Sequence, residues 1–274
     1  MRAKRPPAPR SSEVAAREQR GRDREGRMSL AEHLIELRKR LTISAVVILA
    51  GAIGGFFLAP DVINGIRIPI SEIAEQRNAQ IVYTGVTESF DLRVLIAVTI
   101  GIIMTSPIWL YQIFAFLVPG LTRREKKYTF GFFFSAVPLF LAGGTMGWLL
   151  FPHIVLLLTS FSNTEDATLL SARPYYDFVA KLVLAVGIAF VLPVFLVLLN
   201  FLGILTARTI LRGWRVALLI IFVFCALVTP SADIVSMFLL AIPMTLLYLA
   251  AGGVAWVHDR ALARREAALA AELA

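Results

Sequence analysis

Residues 178–200 read FVAKLVLAVGIAFVLPVFLVLLN, an apolar run in which Lys181 is the single charged residue. A run of about 18 or more apolar residues with almost no charge is typical of a helix that crosses a lipid bilayer. Similar runs lie on both sides of it, so we predict an all-α, polytopic membrane protein with six spans. The predicted spans cover 41–59, 92–114, 130–157, 178–200, 214–228 and 234–257.

The composition excludes a soluble globular domain. Of the 274 residues 58% are hydrophobic and 17% are charged, and the mean hydropathy is +0.74. A soluble domain carries nearer a quarter of charged residues, and one soluble core could not bury so many apolar runs. The net charge of +8 lies mainly in the tail and loops, which indicates orientation and contact with anionic lipid rather than nucleic acid. Cys225 stands alone inside an apolar run, so we expect a buried thiol and no disulfide framework.

The distribution of lysine and arginine predicts which side of the membrane each loop faces. The first forty residues, the loops 115–129 and 201–215, and the segment 258–274 contain all but five of these cations. The five exceptions are Arg67, Arg77, Arg93, Arg173 and Lys181. Because cationic loops stay in the cytoplasm, both termini are predicted to be cytoplasmic, which an even number of spans allows.

The chain divides into a tail, a membrane domain and a second tail. Residues 1–28 are basic and poor in large apolar residues, so they are expected to be disordered; no signal peptide is predicted, and Met28 is an alternative start. Leucines then recur at spacings of four, three and four from Leu30 to Leu41, which predicts an amphipathic helix at the membrane surface that runs into the first span. The membrane domain is predicted to cover 29–258, followed by a cytoplasmic C-terminal tail at 259–274.

Two glutamates stand out because each lies among cations on the cytoplasmic side. Glu36 belongs to IELRKRL (35–41) and Glu125 to LTRREKKY (121–128). In a structural interpretation, Glu36 pairs with Arg40 four residues on, and Glu125 offsets its basic neighbours. In a functional interpretation, carboxylates at the headgroup level bind a guanidinium group by paired hydrogen bonds. The residues alone leave both interpretations open.

No pattern in the chain indicates a catalytic or metal site. Asp177 and Lys181 have the spacing of a mutual ion pair, and Asp233 can cap the sixth span. No metal-ligand spacing links the three histidines, which are His33, His153 and His258. The sequence also lacks the GxSxG, HExxH and GxxxxGK[ST] motifs. We therefore predict no enzyme activity, metal or cofactor. A small-solute secondary transporter is the alternative, although its usual repeated halves and mid-membrane polar groups are absent from the sequence.

Three longer motifs are more specific. HLIELRKRL (33–41), SPIWLYQIFAFLVPGL (106–121) with the following RREKKY, and TPSADIVSMFLLAIPM (229–244) resemble TatC, the multispanning core of the twin-arginine protein translocase. The resemblance covers roughly residues 28–258. It implies a cupped bundle of six helices in the cell membrane of a bacterium or archaeon. It also implies a receptor for twin-arginine signal peptides of folded proteins, which assembles with TatA- and TatB-type single-span partners into an oligomer and uses the protonmotive force.

The resemblance also implies roles for particular residues. Glu36 and Glu125 match the two family glutamates that contact the twin arginines, and Arg38 and Phe116 match neighbouring positions of the same recognition patch. Pro69 matches a functionally sensitive proline of the first outer loop.

Two further positions come from the same comparison with the family pattern. Asp233 matches the aspartate of the last outer turn. In the fourth span, Phe190-Val191-Leu192-Pro193 departs from the family, because Val191 stands where a glutamate or glutamine is usual. A carboxylate inside a bilayer costs on the order of a few kcal/mol and is kept for a purpose, so this departure questions any mechanism that needs a polar group there.

Overall fold

The computed structural model describes residues 30–77, 80–117, 123–160, 169–229 and 234–272. The predicted tail 1–28 and Asp233 lie outside these ranges. Within them the chain forms eight helices and two short strands: α1 (Leu30–Arg77), β1 (Gln80–Val82), α2 (Glu88–Met104), α3 (Ser106–Leu117), α4 (Arg123–Ser160), β2 (Leu169–Ser171), α5 (Ala172–Phe201), α6 (Ala207–Arg212), α7 (Trp214–Val228) and α8 (Ile234–Glu272).

The helices account for the predicted spans and confirm a polytopic helical membrane protein. In the described ranges, α1, α4, α5 and α8 are long and apolar enough to cross a membrane, and α2 with α3 forms a fifth if the bent pair counts as one span. α7 is apolar but has 15 residues, or about 22 Å at 1.5 Å per residue. It is therefore short for a hydrocarbon core of about 30 Å. Helices suit this environment because they satisfy their own backbone polar groups.

The first helix is longer than predicted. α1 has 48 residues and contains Pro60 and Pro69, so the expected outer loop that begins after residue 59 is helical as far as Arg77. Pro69 consequently lies inside a helix, and its placement in a loop was wrong. The helix continues because Ile66 and Ile70 are 1% and 3% exposed in the main core. Tertiary packing of that face stabilises a helix despite the missing proline N–H.

The second span is broken rather than continuous. α2 and α3 meet at Thr105 with a bend of 59°, whereas a single helix was predicted over 92–114. Pro107 explains the break, because it lacks an N–H for the preceding turn and disfavours helical geometry in the residue before it. The indole Nε1 of Trp109 donates to the Ile102 carbonyl over 2.8 Å, which satisfies a backbone acceptor near the bend.

The C-terminal end of α1 and the N-terminal ends of α2 and α5 are joined by an ordered cap that the sequence did not predict. β1 and β2 pair in parallel, with Ile81 opposite Leu170. Glu88, 7% exposed, accepts hydrogen bonds from the N–H groups of Thr84, Gly85 and Arg173 at 2.5, 3.1 and 2.9 Å. These hydrogen bonds hold the pKa of Glu88 below its ordinary value, although burial acts in the opposite direction. The bond from the Thr84 N–H has the largest effect.

Two of the smaller predictions are confirmed. Cys225 is free and fully buried. The ammonium of Lys181 lies 2.5 Å from the carboxylate of Asp177. The predicted tail 259–274, in contrast, continues α8 as a helix as far as Glu272. The predicted loop 201–215 contains the additional helix α6.

Candidate functional site

Glu36 forms an ion pair within its own helix. The guanidinium of Arg40 contacts the Oε1 atom of Glu36 through Nη2 at 2.6 Å and through Nε at 3.0 Å. The two residues lie one turn apart in α1, which is the spacing at which helical side chains meet. The structural interpretation of Glu36 is therefore confirmed for one of its two carboxylate oxygens.

The end of α3 packs against the beginning of α1. Arg40 Nη1 donates to Gln112 Oε1 over 3.3 Å, and the rings of His33 and Phe116 stack with their centroids 4.3 Å apart. These contacts bring Glu36 and Phe116 to the same place in the fold. We call His33, Glu36, Arg40, Gln112 and Phe116 the α1–α3 patch.

The second oxygen of Glu36 distinguishes this patch from an ordinary surface ion pair. Glu36 Oε2 is shielded from solvent and has no hydrogen-bond partner in the described part of the chain. An acceptor left in this condition costs about 1–3 kcal/mol, more if it is charged. The patch can therefore accept a hydrogen bond from an additional donor, and a cationic donor would gain most.

The structure describes fewer contacts for the other predicted recognition residues, Arg38 and Glu125. Arg38 is exposed on α1, and its carbonyl accepts from the Thr42 hydroxyl at 2.8 Å. Glu125 belongs to the first turn of α4, but its side chain lies outside the described residues. α4 packs along α3 through the rings of Tyr111 and Phe133, which are 5.6 Å apart. The first turn of α4 follows the end of α3 after the five residues 118–122.

Val191 lies in a core rather than on an open surface. It is 3% exposed and belongs to a buried cluster with Phe114, Phe140 and Leu198, contributed by α3, α4 and α5. A separate apolar cavity of about 470 Å³ between α5, α6, α7 and α8 is lined by its neighbour Leu192 instead. Successive residues of a helix point about 100° apart, so residue 191 faces a different side of α5.

Sequence reasoning missed two members of the patch. Gln112 and His33 both belong to the quoted motifs. Nothing in their spacing indicates that Gln112 of α3 contacts α1, or that His33 of α1 contacts α3. Their residue types were a usable signal, because an amide and an imidazole are polar groups at the ends of apolar segments. The described residues contain no group of three side chains that could hold a metal ion.

The fold and the patch define a multi-pass α-helical membrane protein with a polar surface patch at one end of its first helix. Comparison with known proteins identifies the family. Residues 32–243 match the family model described as Sec-independent protein translocase protein (TatC), and the chain belongs to this family. This result confirms the resemblance, and it shows that the alternative of a small-solute transporter was wrong.

Individual relatives agree over most of the chain. The TatC protein of Xylanimonas cellulosilytica is 42% identical over 90% of this chain and 91% of its own length. The TatCy protein of Bacillus subtilis is 33% identical over 81% of this chain and 86% of its own length. A crystal structure of the twin-arginine translocase receptor TatC in DDM has a TM-score of 0.72 at 30% identity, and the match covers 82% of this chain and 99% of that one.

Proposed function

We propose that this chain is the core receptor of the twin-arginine translocation system, and that Glu36 and Glu125 bind the paired arginines of signal peptides on folded proteins. The observation that carries the proposal is the Oε2 atom of Glu36, which has no hydrogen-bond partner among the described residues and lies beside a guanidinium already held on Oε1. The patch therefore binds one guanidinium group and has acceptor capacity left. The position of Glu125 in the first turn of α4, shortly after the patch, supports its participation.

Arginine suits this site better than lysine. A guanidinium group is planar, permanently charged and donates two parallel hydrogen bonds to a carboxylate, which an ammonium group cannot match. Each charge-assisted pair contributes about 1.5–3 kcal/mol where water is partly excluded. Arg40 competes for the same carboxylate, so binding is expected to be reversible.

Two of the remaining predicted residues support the same site, and the other two are assigned to the opposite side. Phe116, stacked on His33, provides an apolar wall beside Glu36, and Arg38 contributes to the cationic surroundings. Pro69 and Asp233 are proposed to act at the opposite, outer side, where Pro69 lies in the extended part of α1.

The recognition site is tested by crosslinking a twin-arginine signal peptide to the protein in membranes. Glu125→Gln and, less strongly, Glu36→Gln should reduce crosslinking about tenfold or more, because each removes a charge-assisted pair. Glu32→Gln is the matched control, since Glu32 is exposed one turn earlier on α1. A peptide with two lysines should also crosslink poorly. Unchanged crosslinking in both single variants and in the double variant would contradict the proposed site.

The receptor is proposed to work within an assembly. Its partners are TatA- and TatB-type single-span proteins, signal peptides and the lipid bilayer, and its energy source is the protonmotive force. We expect it to act as an oligomeric binding protein, neither an enzyme nor a nucleic-acid partner, and to need no cofactor. The membrane domain is proposed to cover residues 29–258, between the basic tail and the C-terminal extension.

Both termini are proposed to be cytoplasmic in the cell membrane. A membrane-impermeant maleimide tests this, because the buried Cys225 gives little background. Val86→Cys, in the outer cap at an exposed position, should be labelled on intact spheroplasts. Ala267→Cys, exposed on the extension of α8, should be labelled only after lysis. The reverse pattern would overturn the orientation.

A further inference from the structure

A basic cavity lies apart from the α1–α3 patch, between the short helix α6 and the end of α8. It encloses about 750 Å³ and is lined by three arginines, Arg208, Arg212 and Arg260, together with Leu211 and Trp256. All three arginines are exposed, and the ion pairs in the described ranges involve none of them. Neither the family membership nor the proposed receptor site gives this cavity a role.

The cavity wall is held in place by hydrogen bonds at both ends of α6. The carboxylate of Asp259 in α8 accepts from the Ala207 N–H at 2.7 Å and from Asn200 Nδ2 at 2.8 Å. Three turns earlier in α8, the Tyr248 hydroxyl donates to the Ile210 carbonyl. α6 is therefore fixed against α8, and the arginines from the two helices face one cavity without further ordering of the backbone.

The charge of the cavity is strongly positive. Asp259 is its one carboxylate among the described residues, and both of its oxygens are engaged by α6 and Asn200. Burial would raise the pKa of Asp259, but these hydrogen bonds and His258 lower it below its ordinary value. Asp259 therefore stays ionised as a structural acceptor. Three arginines against one carboxylate leave an excess of two positive charges for a ligand.

The residues around the cavity are typical of the boundary between a membrane and water. Arg208 and Arg212 precede Trp214, where α7 begins, and Arg260 follows the apolar part of α8. Trp214 and Trp256 are 47% and 49% exposed, as tryptophans of a membrane interface are. Basic pockets between spans on the cytoplasmic side bind the head groups of anionic lipids.

We propose that this cavity binds the phosphate head group of an anionic phospholipid. The guanidinium groups suit phosphate oxygens, which they bind in pairs. The lipid is favoured over a free phosphate ion because Leu211 and Trp256 form apolar parts of the wall, and these would contact the glycerol and the start of the acyl chains.

Native mass spectrometry of the full chain in detergent, titrated with phosphatidylglycerol or phosphatidylcholine, tests the proposal. Arg208→Gln/Arg260→Gln should weaken phosphatidylglycerol binding about 25-fold, at about fivefold for each arginine. Arg264→Gln/Arg265→Gln is the matched control, because it removes the same charge from exposed positions further along α8 that do not line the cavity. The charge-preserving Arg208→Lys/Arg260→Lys should lose less binding than the glutamine pair but should not reach the parent affinity, because an ammonium group keeps the charge without the paired hydrogen bonds. Melting temperatures in phosphatidylcholine confirm that each variant is folded.

The proposal is supported if the cavity variant alone loses its preference for phosphatidylglycerol and millimolar inorganic phosphate fails to displace the lipid. Equal losses in the cavity and control variants would attribute binding to overall charge and overturn it. No loss in the cavity variant would overturn it as well. Displacement by inorganic phosphate would assign the cavity to a free ion, and displacement by a polyglutamate peptide would assign it to an acidic protein segment.

Discussion

Replacement of Gly55 by alanine should loosen the contact between α1 and α2. A Cβ atom at Gly55 would lie 2.5 Å from the Ala97 carbonyl oxygen and 3.1 Å from Ile100 Cβ. A backbone oxygen cannot rotate away as the end of a side chain can, so the two helices would have to separate. Small residues at helix contacts in membranes permit this close approach and the van der Waals contacts that come with it.

The neighbouring Gly54 isolates the cost of that clash. A Cβ atom at Gly54 would meet nothing within 4 Å. Both replacements gain the same helix propensity, up to about 1 kcal/mol, so this gain cancels when the two variants are compared. The difference in unfolding free energy then reports overpacking, which costs about 1–3 kcal/mol. Gly54→Ala should be at least as stable as the parent protein.

Thermal unfolding in detergent micelles, followed by tryptophan fluorescence, measures this difference. At about 2–4 °C for each kcal/mol, Gly55→Ala should melt about 2–12 °C below Gly54→Ala. It should also crosslink less signal peptide, because α1 and the bent α2–α3 unit together position the patch. Equal melting temperatures, or a lower one for Gly54→Ala, would refute the argument from close packing.

Two more predictions concern the cap that contains Glu88 and the fourth span. Glu88→Gln should lower the melting temperature near neutral pH more than Asp91→Asn does. Because the folded pKa of Glu88 is lowered, this difference should be largest above its ordinary pKa and disappear as the pH falls through the folded value; a gap independent of pH would contradict it. Val191→Glu should destabilise the protein by about 2.5–3.5 kcal/mol because position 191 is buried in an apolar cluster, and it should melt below Val191→Ala; the opposite order would reveal a polar partner for that carboxylate.

The lengths of the apolar runs were enough to predict the spans. Helix-terminating residues such as glycine and proline decided how accurately the ends of the spans were predicted. The fifth span was predicted at 214–228 and is observed as Trp214–Val228, because Gly213 and the Thr229-Pro230 pair mark both ends. The break at Thr105 could also have been predicted from the sequence, since Pro107 follows two residues later, although a single helix was predicted there. α6 was not, because six residues are too few to show a helical period and its position depends on Asp259 and Tyr248.

In the candidate site, too, local contacts could be predicted from the sequence and distant contacts could not. The pairing of Glu36 with Arg40 followed from their spacing in one helix. The contact of Arg40 with Gln112 joins residues 72 positions apart, and no local pattern contains it. The Oε2 atom, which has no hydrogen-bond partner among the described residues, depends on this distant arrangement, so the capacity of the patch for another cation became visible only in three dimensions.

The bend in the second span and the α1–α3 patch have a common structural origin. α3 can bring Gln112 and Phe116 to the first turns of α1 only if the chain changes direction at Thr105. At that point a Cβ atom on Gly51 would lie 2.6 Å from Thr105 Cγ2 and 3.0 Å from the Gly101 carbonyl oxygen. A glycine at position 51 therefore makes room for the bend, and the bend makes the patch. Since Glu36 and Gly51 belong to one uninterrupted helix, the position of the Glu36 carboxylate depends on helix packing about four turns away.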